Sequence, residues 1–327
     1  VVQSPIAPAA MRTKPRAWLP FRRTKTGIQE SIKPNARLRE RAPKGGISVA
    51  ISFNEADVRA EPIGSGAWRQ RLLNKERVKE TNVTLARLTL AAGAQLALEV
   101  PRTSLAWLLI LDGEGQLAAA DKTERLSGAH AAFLPPGYRA SLSSEAGVSL
   151  IFAEVSDAAR FDPNLASQPP QFRLVDWTRE PVLASEHDDR KRIYLVTPKL
   201  FGMSAIRGEM IIYPPGTSAP DHHHEGAEHF MYFLRGRGTA WANGKPFEVR
   251  GGDVVWYPDL ERHYLKADPA EGMAFIEFFV PGVYKTIWAD PSQVCTWLPT
   301  GRDIEGRIPV REIKAHSSAD LVAPADV

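Results

Sequence analysis

The chain has 327 residues, of which 43% are hydrophobic and 24% charged, and its formal net charge is +3. This composition is that of an ordinary globular protein long enough for two domains, and so small a charge gives no reason to expect a nucleic-acid partner. The single cysteine, Cys295, excludes an intramolecular disulfide and cysteine-based zinc sites. No apolar run is long enough to cross a bilayer. We therefore expect a cytoplasmic protein without a nucleic-acid or membrane partner.

The first predicted segment is a basic arm, residues 1–46. Every charged residue before Glu30 is a lysine or an arginine. The pair Arg22 and Arg23 is not followed by an apolar segment, so a twin-arginine export signal is not expected. We expect a solvated arm that packs on the body of the protein or on a second subunit.

From residue 47 onward, the chain consists of short apolar segments separated by turns. Short strands at close spacing are typical of a sandwich or barrel, so we predict an all-β fold. Four segments of the first half recur in the second half in the same order, displaced by about 120 residues, and such a repeat predicts two similar domains. The matched pairs are 84–93 with 205–216, 106–115 with 229–238, 127–142 with 251–265, and 148–157 with 273–282.

The repeat also predicts the domain bounds. Residues 47–158 would form the first domain and residues 176–290 the second, joined by a proline-rich linker at 159–175. Residues 291–327 would form a C-terminal extension.

Two histidine-containing motifs of the second domain predict a metal site. In the first, GTSAPDHHHEGAEHFMYFLRG (216–236), His222 and His224 stand two residues apart and His229 follows. The second, GDVVWYPDLERH, ends at His263. Residues two apart on a strand share a face, so His222 and His224 can point together into a barrel that His263 completes from a distant strand. Imidazole binds iron, zinc, nickel, copper and manganese.

These motifs resemble those of the cupins, small antiparallel β-barrels of the jelly-roll type. The spacings fit, although His229 occupies the position of a glutamate and Leu260 that of a glycine. Together with the repeat, the resemblance covers roughly residues 80–290 and implies two tandem cupin barrels. It also implies one divalent metal ion in the second barrel, bound by His222, His224, His229 and His263.

The fourth ligand position leaves two alternatives. Glu228 also satisfies the looser spacing of the motif after His224, but it stands one residue too far from Gly236. The tail YFLRG (232–236) resembles the Tyr-Val-Leu-x-Gly common in cupins, and this register favours His229. A strand bulge would allow Glu228 to bind instead.

The first barrel has lost these ligands. The positions of the four histidines are occupied there by Glu99, Pro101, Ala106 and Ala140. We therefore expect no metal in the first barrel, whose role would be packing, dimerisation or closing the mouth of the second. Paired barrels of this kind also predict a homodimer formed through strand edges.

Four further residues are candidates for the substrate pocket. Arg207 is a candidate anchor for a carboxylate, and Tyr213 follows it on the same predicted strand. Tyr232 and Trp256 belong to the strands that carry the motifs. Barrel packing alone would also account for each of the four, and no catalytic residue is assigned.

The resemblance implies a metal-dependent enzyme that acts on a small organic molecule. Four neutral histidines leave the charge of a divalent ion uncompensated, which favours an anionic substrate. We expect an iron(II) dioxygenase that cleaves a phenolic or diketone-like compound, with manganese, zinc or nickel as other possible metals. A metal-free first barrel beside a metal-bearing second also resembles the ureidoglycine aminohydrolases, which implies a manganese-dependent hydrolase as the alternative. A ligand-binding cupin without enzymatic activity is the third hypothesis.

Overall fold

The computed structural model describes residues 50–120, 122–314 and 316. Strands dominate these ranges, which confirms the all-β prediction. The described residues also form one short helix, α1 (Pro198–Phe201), and two single-turn 3-10 helices. No helix among them is long and apolar enough to cross a membrane. The predicted basic arm, residues 1–46, lies outside the described residues.

The strands of the two halves are as follows. The first half contains β1 (Ile51–Asn54), β2 (Glu61–Gly64), β3 (Ala67–Leu73), β4 (Val83–Leu90), β5 (Gln95–Glu99), β6 (Leu105–Gly113), β7 (Gly115–Ala119), β8 (Lys122–Leu126), β9 (His130–Leu134), β10 (Arg139–Ser143) and β11 (Val148–Val155). The second half contains β12 (Arg173–Asp176), β13 (Val182–Ser185), β14 (Lys191–Val196), β15 (Arg207–Tyr213), β16 (His222–Glu225), β17 (Glu228–Ala242), β18 (Lys245–Arg250), β19 (Asp253–Tyr257), β20 (His263–Ala267), β21 (Met273–Val280), β22 (Lys285–Trp288) and β23 (Trp297–Pro299).

The two halves fold into the same arrangement of strands. Neighbouring strands follow the order β9-β6-β11-β4 in the first half and β19-β17-β21-β15 in the second. These are the four pairs of segments whose sequences repeat. In each half, further strands cover this sheet and share a core with it: β5, β7, β8 and β10 in the first, and β18, β20 and the end of β17 in the second. Each half is therefore a barrel of antiparallel sheets, as predicted.

The first six residues of β6 and of β17 are buried on both faces, because this part of each strand separates two cores. In β6, alternate residues Ala106 and Leu108 face the interior of the first barrel, whereas Trp107 faces the core between the barrels. In β17, Met231 faces the interior of the second barrel and Phe230 faces the shared core. Alternate residues of a strand point to opposite faces, so continuous apolar runs are what this position in the fold requires.

The shared core joins the barrels through one aromatic stack. Trp107 of the first barrel and Phe278 of the second lie with ring centroids 3.9 Å apart and an interplanar angle of 15°. Gly208 is paired with Phe278 in the sheet, and a Cβ atom at Gly208 would lie 2.1 Å from the Phe278 ring. The absence of a side chain at Gly208 therefore leaves the room that the Phe278 ring occupies.

The barrels also exchange strands. Strand β1, which precedes the first barrel, pairs with β19 of the second, and β12, which precedes the second barrel, pairs with β9 of the first. The predicted domain bounds thus cut across the strand pairing: Ile51–Asn54 falls in the predicted first domain, and residues 173–175 fall in the predicted linker. Strand β23 lies within the predicted C-terminal extension and pairs with β13 of the second barrel. The bounds were inferred from the repeated segments alone, which do not include β1, β12 or β23.

Removing the Trp107 ring should destabilise both barrels together. We expect Trp107→Ala to lower the free energy of unfolding by about 3–5 kcal/mol, because the substitution leaves a cavity in the shared core. The Trp107 Nε1 atom is buried without a hydrogen-bond partner, so Trp107→Phe loses no hydrogen bond and should lower it less. Urea unfolding measures the free energy of unfolding of both variants. Trp68→Ala, at a partly exposed position, is the control. Equal losses for Trp107→Ala and Trp68→Ala would contradict the role given to the stack.

Candidate metal centre

Three of the predicted ligands come together in the second barrel. His222 and His224 lie on β16, and His263, the first residue of β20, is the register partner of His222. One nitrogen atom of each lies within 4.8 Å of the others, and no other group of three or more potential metal ligands meets this condition in the described part of the chain. The ring centroids are 5.0 Å apart for His222 and His224 and 4.5 Å apart for His222 and His263.

The hydrogen bonds of the three rings leave one nitrogen atom of each available. The Nδ1 atoms of His222 and His263 lie 2.9 and 2.8 Å from the carbonyl oxygens of Pro220 and Glu261, to which they can only donate. The Nδ1 atom of His224 lies 3.1 Å from the Thr286 hydroxyl oxygen. The lone pair of each carbonyl-bonded ring therefore lies on Nε2. The Nε2 atom of His263 is buried and has no hydrogen-bond partner, so the donor set fits a metal ion.

Burial keeps these histidines neutral. It lowers the pKa of His263 to about 3, and the pKa values of His222 and His224 also lie well below their ordinary value. The neighbouring histidines add to this lowering, because a second proton in the cluster would be repelled by the first. Neutral imidazole is the form that binds metal ions, so the rings are prepared for binding near neutral pH.

His229 lies beside the cluster but makes a different contact. Its ring centroid is 5.1 Å from that of His263 and 5.3 Å from that of His224. Its Nε2 atom lies 2.8 Å from an Oε2 carboxylate oxygen of Glu277, whereas its Nδ1 atom is buried without a partner. Burial lowers the pKa of His229 to about 3 as well. The structure thus groups three of the four predicted ligands, and the role of His229 as a fourth ligand stays a prediction.

Glu228, the competitor for the fourth position, points the other way. One of its carboxylate oxygens accepts hydrogen bonds from Thr81 Oγ1 (2.7 Å) and Trp256 Nε1 (2.6 Å), and the other from the Asn82 amide (2.7 Å). Adjacent residues of a strand face opposite sides, so Glu228 faces the first barrel because His229 faces the pocket.

Two of the four candidate pocket residues line the pocket and two do not. Arg207 and Tyr213 lie on its wall together with the histidines. Tyr232 and Trp256 belong instead to the core shared by the barrels, and the Tyr232 hydroxyl donates to a Glu55 carboxylate oxygen at 2.7 Å. The prediction for these two is corrected by strand alternation: they share a face with Glu228, not with His229.

The structure brings three further residues close to the histidines or onto the pocket wall. Tyr257, next to Trp256, faces the interior of the second barrel, and its ring stacks on His263 with centroids 4.4 Å apart. Glu209 and Glu277 face each other across β15 and β21 on the pocket wall. Burial raises the pKa of Glu209 to about 8 despite the ion pair of its Oε1 atom with Arg192 Nη2 at 3.2 Å, and burial raises the pKa of Glu277 as well. Counting by twos along β15 from Arg207 reaches Glu209, whereas Tyr257 and Glu277 are placed by strand pairing, opposite His229 and Glu209 respectively.

The C-terminal extension supplies another part of the wall. Cys295, Trp297 and His316 line the pocket. The Cys295 Sγ atom lies 3.4 Å from Arg190 Nη2, and His316 Nε2 lies 2.9 Å from the Tyr194 hydroxyl oxygen. No motif in the sequence indicated that these three residues line the pocket.

In the first barrel, the corresponding positions hold no histidine cluster. Glu99 is an exposed residue that pairs with Arg139 at 2.6 Å, and Ala106 is part of the apolar core. Buried leucines such as Leu98, Leu108 and Leu142 fill the interior. This agrees with the substitutions read from the sequence.

Comparison with known proteins agrees with the fold. The model of the cupin domain matches residues 209–279. Solved structures of oxalate decarboxylase from Bacillus subtilis are similar across both barrels: one, determined at pH 4.6, has a TM-score of 0.61 at 15% sequence identity over 76% of this chain and 80% of that chain. A mutant of the same enzyme gives a TM-score of 0.62 over 76% and 81%. This protein has the fold of a two-barrel cupin.

A curated relative matches the bicupin over a shorter segment. The oxalate-binding protein of Thermotoga maritima is 31% identical over 67 residues, which are 20% of this chain and 55% of that protein. The bicupin therefore spans about half the length of this relative.

The neutral histidines predict a stability that falls on acidification. Between about pH 6.5 and pH 3, the unfolded metal-free chain binds protons at His263 and His229 while the folded chain does not, so the free energy of unfolding decreases as the pH decreases. Each such histidine contributes a slope of about 1.4 kcal/mol per pH unit. We expect His263→Gln to reduce the slope by about this amount in urea unfolding at pH 4–6. His187→Gln, at an exposed turn outside the pocket, is the control, and an unchanged slope for His263→Gln would contradict the prediction.

Proposed function

We propose that this bicupin is a metal-dependent enzyme that acts on a small chelating anion, and that its reaction is an oxygen-dependent cleavage with iron(II). The observation that carries the proposal is the unpartnered, buried Nε2 atom of His263 in one cluster with nitrogen atoms of His222 and His224. A buried nitrogen lone pair without a donor is costly unless a ligand occupies the site.

The charges of the pocket favour an anionic substrate. Three neutral imidazoles bring no negative charge to a divalent ion, and Arg192 and Arg207 on the wall add positive charge. Burial raises the pKa of Glu209 to about 8, which reduces the negative charge that this residue brings to the wall near neutral pH. The oxalate-related names of the similar proteins favour small carboxylates as the substrate class.

The surroundings of the histidines suit an oxidisable metal. The ring of Tyr284 lies 4.9 Å from His224, and that of Phe279 stacks 4.3 Å from His229. These rings exclude water from the histidines. An iron(II) ion held by three histidines would supply open coordination positions and redox chemistry to a chelating anion and to dioxygen. With three protein ligands, and without His229, the ion would have enough open coordination positions for both the chelating anion and dioxygen.

Manganese-dependent hydrolysis is the second candidate, and one contact favours it. Hydrolysis needs a base that takes a proton from water. The Glu277 carboxylate, hydrogen-bonded to His229 at 2.8 Å, is the residue in position for that role. A homodimer and a cytoplasmic location remain predictions from the sequence.

Metal content should depend on the three clustered histidines. We expect protein purified without chelators or nickel resin to contain about one metal ion per chain, preferably iron, and His222→Ala, His224→Ala and His263→Ala to lose it. His223→Ala, between two of them on β16, is the matched control and should retain the ion. His229→Ala decides whether a fourth histidine is needed. Equal metal content in His263→Ala and in the unsubstituted protein, measured by mass spectrometry, would overturn the site.

The reaction class is tested with the metal-loaded protein. With iron(II), we expect oxygen uptake with at least one member of a panel of catechols, gentisate, diketones, oxalate and 2-oxo acids, and none in His263→Ala. Carbon dioxide release without oxygen uptake would replace the dioxygenase with a decarboxylase. Ammonia release from ureido compounds by the manganese-loaded protein, lost in Glu277→Gln, would instead support the hydrolase.

A further inference from the structure

The pocket has a second polar region, formed by Arg192 on β14 and Trp297 on β23. Along the curved sheet, β14 is separated from β20, which carries His263, by β17, β21 and β15. The guanidinium carbon of Arg192 lies 4.4 Å from the centre of the Trp297 ring. Both side chains line the same pocket as the histidines. Stacking of this kind fixes the plane of the guanidinium group.

Each of the two side chains carries a buried donor that is unsatisfied. Arg192 Nη1 donates to the Tyr194 hydroxyl oxygen at 3.3 Å, and Nη2 pairs with Glu209 at 3.2 Å. The Nε–H group of Arg192 is buried and has no hydrogen-bond partner, and the same is true of Nε1–H of Trp297. Buried donors are nearly always satisfied in folded proteins, and two unsatisfied donors in one stacked pair indicate that a ligand supplies the acceptor.

The positive charge of Arg192 is only partly balanced by its ion-pair partner. Its ion-pair partner Glu209 has a pKa raised to about 8 by burial, so that carboxyl group is mostly protonated near neutral pH. Arg190 differs, because its Nε atom lies 2.8 Å from a carboxylate oxygen of Asp188. The acceptor that fits Arg192 is therefore an anion.

We propose that Arg192 and Trp297 form a second anion-binding subsite, and that the substrate carries a carboxylate or similar oxyanion there in addition to the group at the histidines. The inference deepens the proposed function and rests on it for the identity of the site as catalytic. It assigns the specificity of the enzyme to a residue of the C-terminal segment, Trp297, as well as to the barrel. Substrates with two anionic groups would then be selected over those with one.

Calorimetric titration with simple carboxylates tests the subsite. The probes are malonate, succinate, glutarate and adipate, each beside the monocarboxylate of equal chain length, with the zinc-loaded and the metal-free protein. We expect at least one dicarboxylate to bind about tenfold more tightly than its monocarboxylate, the difference that a charge-assisted hydrogen bond provides. Trp297→Phe keeps the ring but removes the N–H group, and Arg192→Lys keeps the charge but removes Nε–H. Each should abolish the preference without changing zinc content.

Trp241→Phe is the matched control, because Trp241 stacks on Tyr264 at 4.3 Å outside the pocket wall. No preference for dicarboxylates, or a preference that survives in both Trp297→Phe and Arg192→Lys, would overturn the subsite. Failure of the unsubstituted protein to bind zinc would overturn the proposed function instead. A preference that depends on Trp297 in the metal-free protein would then still support the subsite.

Discussion

The desolvation of imidazole is the constraint on which the site depends. His222, His224, His229 and His263 lie in an interior where a protonated ring would lose its hydration, and burial is the largest cause of their lowered pKa values. A cluster of this kind requires a closed wall around it. The barrel provides that wall, and carbonyl oxygens at Pro220 and Glu261 fix two of the rings without adding a charge.

Strand β17 connects this site to the rest of the molecule. Its pocket face carries His229 and Met231, and its other face carries Glu228 and Tyr232. Glu228 accepts hydrogen bonds from Thr81 and Asn82, just before β4 of the first barrel, so the strand that borders the candidate metal centre is held by the barrel without a histidine cluster. Although the first barrel lacks the ligands, it contributes to the site by fixing the orientation of β17.

The sequence predicted those features of the structure that follow from repeated motifs. It did not predict individual contacts between segments that are distant in the chain. The histidine motifs predicted the approach of His263 to His222, and the repeat predicted two barrels with corresponding strands. The direction of the Tyr232 side chain was predicted wrongly. Tyr232 lies three residues after His229 on β17, and an odd separation places two residues on opposite faces of a strand. The contact of His229 with Glu277 and the return of Trp297 to the pocket join segments distant in sequence, and no local periodicity encodes them.

The strand exchange has a consequence for how the chain acquires its fold. Asn54, at the end of β1, contacts Gly251, 197 residues further along the chain. During synthesis, β1 has no partner until β19 has been made, about 200 residues later. The first barrel is complete only when β12 has been made as well. The barrels therefore cannot finish folding one after the other. Loop-closure entropy makes such pairing slow, and β9 and β19 remain open edges until it is done.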